Sequence, residues 1–114
     1  MSILNEQIAG QLKEIFADMK KDVTLAVFTK KDACETCEDT LSFMKEIEGL
    51  SDSIHLESFD LDTDKEKAEA FQVQMAPSIV LLNDKKEYLG VKFNGIPAGH
   101  EINSFIPAIL EVSG

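Results

Sequence analysis

Apolar positions along the chain follow two periods, about 3.6 residues in some stretches and about 2 in others, and their succession predicts helices and strands in turn. Ile8, Leu12, Ile15, Phe16 and Met19 recur at helical spacing, so residues 4–20 read as an amphipathic helix. Asp22 marks a turn into Val23-Thr24-Leu25-Ala26-Val27-Phe28-Thr29, a nearly continuous apolar run that suits a strand buried on both faces. A second helix opens near Cys34, carries Leu41, Met44, Ile47 and Leu50 on one face and ends near Gly49. Ile54 to Leu61 alternates more loosely, as an edge strand does.

Asp62-Thr63-Asp64 supplies a turn and a helix cap, with Glu66 in the first turn of a short helix that runs to about Phe71. Ser78 to Leu82 and Tyr88 to Asn94 then flank the polar segment Asn83-Asp84-Lys85-Lys86-Glu87, which predicts a β-hairpin with a five-residue loop. The last helix buries Ile102, Phe105, Ile106, Ile109 and Leu110. Pro107 inside that stripe is expected to remove one backbone hydrogen bond and bend the helix. The order α-β-α-β-α-β-β-α predicts an α/β fold, a three-layer α/β/α sandwich around a four-stranded mixed sheet.

Composition narrows the setting. A chain of 114 residues, 44% apolar and 28% charged, reads as one globular domain over residues 1–114. No apolar run approaches the roughly 18 residues of a membrane span. Met1-Ser2-Ile3-Leu4-Asn5-Glu6 lacks the basic start and apolar core of a signal peptide, so a cytoplasmic location is expected. The net charge of −10 disfavours nucleic acid and anionic membrane surfaces as partners. That charge serves either a solvated surface or partners whose docking face has a basic rim.

The chemistry lies in two cysteines, the only ones in the chain, spaced as Cys34-Glu35-Thr36-Cys37. They follow the first strand and open the second helix. Ala76-Pro77 stands 40 residues after Cys37 (77 − 37), directly before the strand Ser78-Ile79-Val80-Leu81-Leu82. A strand, C-x-x-C at a helix start, and X-Pro before another strand form the layout of a dithiol/disulfide site. The attacking species in disulfide exchange is the thiolate, and unpaired N–H groups with the partial positive charge of a helix N-terminus stabilise it. Cys34 sits where those groups converge and is expected to attack; Cys37, one turn further in and more shielded, is expected to resolve the mixed disulfide.

Asp32, Glu35, Glu38 and Asp39 oppose thiolate formation while Lys30 and Lys31 favour it, which moves the couple toward the reducing end. Zinc needs four ligands, and His55 and His100 are the only histidines left to join the cysteines, without finger-type spacing. A metal or iron–sulfur protein and a non-catalytic binding module stay open as alternatives, and no cofactor is expected for the redox reading. A cis Ala76-Pro77 bond is expected beside the C-x-x-C, presenting its backbone to an incoming chain as an added strand would. Met75 serves either as an adaptable apolar contact for partners or as core.

With these features assembled, the chain resembles the thioredoxin-like superfamily over nearly its whole length. Cys34-x-x-Cys37, Ala76-Pro77 and Gly95 carry the resemblance. The segment Gly95-Ile96-Pro97-Ala98-Gly99-His100-Glu101-Ile102-Asn103-Ser104-Phe105 is similar to two related groups. These are the protein disulfide oxidoreductases built from tandem thioredoxin-fold units, and the N-terminal domain of the flavoprotein reductase of alkyl hydroperoxide reductase. The resemblance implies a thioredoxin fold with an extra N-terminal helix, acting as a monomer. It also implies a dithiol that takes electrons from a flavoprotein disulfide reductase and passes them to a protein disulfide, such as that of a peroxiredoxin. Glu35, Thr36, Met75, Ala76, Pro77 and Gly95 are the implied substrate contacts.

The chain departs from those relatives in three ways. It carries one unit where they carry two, and Ala33 stands where thioredoxins place a Trp. Phe28, six residues before Cys34 (34 − 28), stands where they place a buried Asp, which leaves that proton-accepting role unfilled unless Lys30, Lys31 or a glutamate such as Glu57 substitutes. Gly95-Ile96-Pro97-Ala98-Gly99 does not match the Gly-Gly segment of glutathione-dependent glutaredoxins, so a protein partner ranks above glutathione.

Overall fold

The computed structural model describes residues 6–30, 37–94 and 102–113, and its elements follow the predicted order. The helices are α1 (Glu6–Phe16), α2 (Cys37–Glu48), α3 (Lys65–Ala70) and α4 (Ile102–Val112). The strands are β1 (Val23–Thr29), β2 (Ile54–Asp60), β3 (Ser78–Leu82) and β4 (Tyr88–Asn94). They form a four-stranded sheet in the order β2-β1-β3-β4. β1 runs parallel to β2 and antiparallel to β3, and β4 is antiparallel to β3, which makes the sheet mixed. β1 is central and buried from Val23 to Phe28, as its continuous apolar run requires. β2 takes the edge, where only Ile54 is fully covered.

Successive strand residues face opposite sides, so the sheet separates two cores. Val23, Leu25 and Val27 of β1 and Ile79 and Leu81 of β3 face Phe43, Met44 and Ile47 of α2 and Phe105, Ile106 and Ile109 of α4, with Leu12 and Phe16 of α1 in the same cluster. Ala26, Phe28, Val80 and Leu82 face the other way, onto Ala68 of α3 and Val73 behind it. The first core is large and mainly aliphatic; the second is thin.

Several local expectations change once packing is present. In α1 only Leu12 and Phe16 are buried, whereas Ile8 and Ile15 are 40% and 39% exposed at the margins of the stripe. The helix ends at Phe16, and Met19 joins the core from the turn beyond it. Thr40 and Phe43 are buried in α2, while Leu41 and Leu50 lie half-buried at its edge. Asp64 occupies the N-cap position of α3 without a side-chain cap. Its carboxylate instead accepts the Asp60 N–H at 2.8 Å, and the Asp60 carboxylate accepts the N–H groups of Asp62 and Thr63. The acidic run therefore ties the β2–α3 turn to itself before it serves the helix. Pro107 lies within α4 at an exposed position, where a missing N–H costs least.

In the hairpin, Asn83 organises the turn: its side-chain oxygen accepts the N–H groups of Lys85 and Glu87, and Lys86 takes a positive φ of 61°. Between the pairs Val80–Lys92 and Leu82–Tyr88, β4 carries Leu89, Gly90 and Val91 opposite the single Leu81, a bulge that Gly90 accommodates at φ 97°.

Candidate dithiol site

The central strands bring the predicted site residues to one end of the sheet. β1 runs toward the segment that holds the C-x-x-C, and β3 starts at the same end, because Phe28 pairs with Ser78. One further step in that antiparallel register sets Pro77 level with Thr29, the last residue of β1. Cys37 is the first described residue of α2, 4% exposed and disulfide-bonded. The chain holds one other cysteine, Cys34. Cys34, Glu35, Thr36 and Gly95 lie outside the described residues, as do Lys31 and His100 and the predicted start of the helix near Cys34. Burial of Cys37 agrees with the shielded position expected for it.

The Ala76–Pro77 peptide bond is cis, as predicted beside this motif. Pro77 is buried, Ala76 half-buried and Met75 52% exposed. Of the two roles open to Met75, core and surface contact, the fold gives it the surface.

The path from α3 to Pro77 is tightly specified. α3 ends in a Schellman motif: the Val73 N–H reaches the Ala68 carbonyl at 2.7 Å and the Gln72 N–H reaches that of Glu69 at 3.1 Å. Gln72 takes the left-handed conformation usual for glycine there, at φ 58°. Its carbonyl accepts a hydrogen bond from Lys92 Nζ of β4. Three residues on, the Met75 carbonyl accepts the Ser78 hydroxyl at 2.6 Å. Gln72, Gln74, Met75, Lys92 and Asn94 line one surface depression beside this segment. Sequence reasoning did not single out Ser78, Lys92 or Asn94. The available signal was a hydroxyl directly after the proline, with two polar residues at alternate positions on a hairpin partner.

Phe28 is fully buried in a ring cluster on the α3 side. It stacks on Phe59 at 5.2 Å between centroids, and its edge meets Phe71, which in turn meets Tyr88. The position of the customary acid is thus packed with rings on that face, a setting hostile to a carboxylate. Glu57, a candidate to replace that acid, is held at 2.7 Å by Lys86 of the hairpin loop. That loop lies at the opposite end of the sheet from Pro77, since Leu82 pairs with Thr24. Lys30 is exposed just past β1, and Glu38 and Asp39 are exposed in the first turn of α2, where they favour the helix dipole.

A central four-stranded mixed sheet, a buried disulfide-bonded cysteine opening a helix, and X-Pro leading the neighbouring strand define a class. The chain has the thioredoxin fold, and its likeness is to proteins of the thioredoxin-like superfamily. Within that class its likeness is to the N-terminal domain of the alkylhydroperoxide reductase protein AhpF and to protein disulfide oxidoreductases. It superposes on AhpF of Enterococcus faecalis (C503A mutant) with a TM-score of 0.92 at 36% identity, over 99% of this chain and 54% of that one. A protein disulfide oxidoreductase from Aeropyrum pernix K1 gives 0.84 at 32% identity, over 99% of this chain and 49% of that one. A protein named NADH dehydrogenase from Ferdinandcohnia aciditolerans is 35% identical over 112 residues, 98% of this chain. The chain spans about 19% of that relative's length and about half of the two solved ones. Thioredoxins share the fold at lower identity. No family model matches the chain. These likenesses support thiol–disulfide redox chemistry in general. Among the described residues, no helix is long and apolar enough to cross a membrane.

Proposed function

We propose that the chain acts as a thiol–disulfide oxidoreductase that passes electrons through the Cys34/Cys37 dithiol to protein disulfides. The observation that carries this reading is Cys37, buried and disulfide-bonded at the head of α2, at the end of the sheet where Pro77 leads β3. In the reduced chain, the Cys34 thiolate attacks one sulfur of a substrate disulfide and expels the other as a thiolate. The Cys37 thiolate then attacks Cys34, which closes the Cys34–Cys37 disulfide and releases the second substrate thiol. Two electrons pass to the substrate, and a flavoprotein disulfide reductase returns two to the chain. Ala76, Pro77 and Met75 border the substrate, with Glu35, Thr36 and Gly95 completing its contacts.

The likeness to AhpF supports a flavoprotein as donor and a peroxiredoxin disulfide as acceptor. The chain's sparse cysteine use supports a reducing, cytoplasmic setting. The test uses Cys37→Ser, which should trap a stable mixed disulfide through Cys34 when offered a protein disulfide. The unaltered chain should reduce insulin with turnover. A chain that neither reduces insulin nor reacts faster than free cysteine would instead be a binding module of the same fold.

A further inference from the structure

The segment leading into Pro77 is fixed by a hydrogen-bonded chain whose direction can be worked out. Ser78 Oγ lies 2.6 Å from the Met75 carbonyl oxygen and 3.0 Å from the atom placed as Asn94 Oδ1. A hydroxyl has one proton and donates once. The shorter contact, to a carbonyl that only accepts, takes that proton. An amide oxygen at the second position would then face the hydroxyl lone pairs with no proton between them. The two ends of an amide are assigned from their hydrogen-bond surroundings. The Asn94 amide is therefore turned so that Nδ2 donates to Ser78 Oγ, and the chain runs from Asn94 N–H to Ser78 O–H to the Met75 carbonyl. Ser78, the middle member of this chain, is fully buried, while Asn94 and Met75 at its ends are exposed.

We infer that Ser78 and Asn94 are positioning residues for the protein substrate: they hold the Met75 carbonyl, and with it the Met75-Ala76 backbone, in one orientation before a partner docks. This rests on the thiol–disulfide reading above. The Met75 side chain is 52% exposed and gives the segment little packing of its own, so its carbonyl is the handle by which the fold holds it. Lys92 holds the Gln72 carbonyl from the same strand, so β4 grips the segment at two points. A segment already ordered removes part of the cost of ordering on association. A folded protein substrate lies along this backbone, whereas a small aromatic disulfide needs only the sulfurs.

The experiment compares insulin with 5,5′-dithiobis(2-nitrobenzoate) as substrates of the full chain. Ser78→Ala should raise KM for insulin about five- to tenfold while kcat and the rate with the small disulfide change less than about twofold. Ser78→Thr keeps the hydroxyl and should restore KM. Asn94→Asp separates the two directions of the chain: a carboxylate cannot donate to Ser78, so KM should rise as in Ser78→Ala. With an accepting Oδ1 it would be unaffected or improved, and that result overturns the assigned direction. Equal losses with both substrates, or an unchanged insulin KM in Ser78→Ala, overturn the positioning role. A wild-type chain inactive with both substrates overturns the redox reading instead. The Asn94 side-chain amide protons, followed by nitrogen-15 NMR, then decide the relay without turnover: slow exchange in wild type that is lost in Ser78→Ala supports it, and exchange at the solvent-exposed rate in both overturns it.

Discussion

The two faces of the sheet are built from different materials. On one face, α2 and α4 close over a broad aliphatic layer, with α1 completing its cluster, and the helix that carries Cys37 is anchored through Phe43, Met44 and Ile47. On the other, the six-residue α3 covers a small core whose main content is a row of rings, Phe59, Phe28, Phe71 and Tyr88. The first face holds Cys37 still through volume. The second has less apolar area to spend on order, and the segment it delivers to Pro77 is set by directed hydrogen bonds from Lys92 and Ser78. One site is thus supported by packing on one side and by polar geometry on the other.

The strongest way to break the comparison is to put a charge in the ring cluster. Phe28→Asp leaves a carboxyl among rings, and it should destabilise the chain by about 4 kcal/mol or more at neutral pH, read by urea melts. Burial raises the folded-state pKa of that acid above the unfolded value of about 3.9. The folded state then binds more protons, so the loss should deepen as pH rises from about 4 through the raised pKa and level off above it. A variant as stable as the parent at pH 7 would mean that the face admits a solvated acid.

Phe43→Ala probes the other side. Phe43 is fully buried in the aliphatic core, and removing it should cost about 3–5 kcal/mol. Phe71→Ala should cost less, about 1–2 kcal/mol, because Phe71 is half-buried and its edge contacts with Phe28 and Tyr88 are the main loss. Equal costs for the two would erase the contrast between a deep face and a thin one. The smallest effect has the opposite sign. Gln72→Gly relieves the left-handed backbone at the end of α3 and should stabilise by up to about 1 kcal/mol, measured as a higher urea midpoint with the same slope.

Much of this architecture was legible in the residues. β1, β3 and β4 have the bounds their apolar runs predict, and β2 falls one residue short, at Asp60 rather than Leu61. These runs are short, strongly apolar and bounded by polar turns, and such signals are local. The cis Ala76–Pro77 bond and the burial of Cys37 were legible as well, because a C-x-x-C at a helix start and an X-Pro before a strand, read together, carry their setting with them. The width of the covered stripe on α1 was not, since Ile8 and Ile15 fit the helical period as well as Leu12 does. Periodicity gives the direction of a buried face; the neighbouring elements decide how much of it they cover. The cap of α3 was misread for a related reason, because Asp60 competes for the carboxylate of Asp64.

The sequence by itself determined the order of elements, the mixed α/β class and the candidate dithiol Cys34-x-x-Cys37, all of which depend on residue types within a few positions of one another. Tertiary structure alone decided what surrounds that chemistry. Phe28 meets Phe59, Phe71 and Tyr88 because strand order sets β1 beside β2 and under α3. Ser78 meets Asn94, sixteen residues away, because the hairpin register pairs them. Such contacts depend on register and strand order, and a slip of one residue would turn every side chain of a strand to the opposite face.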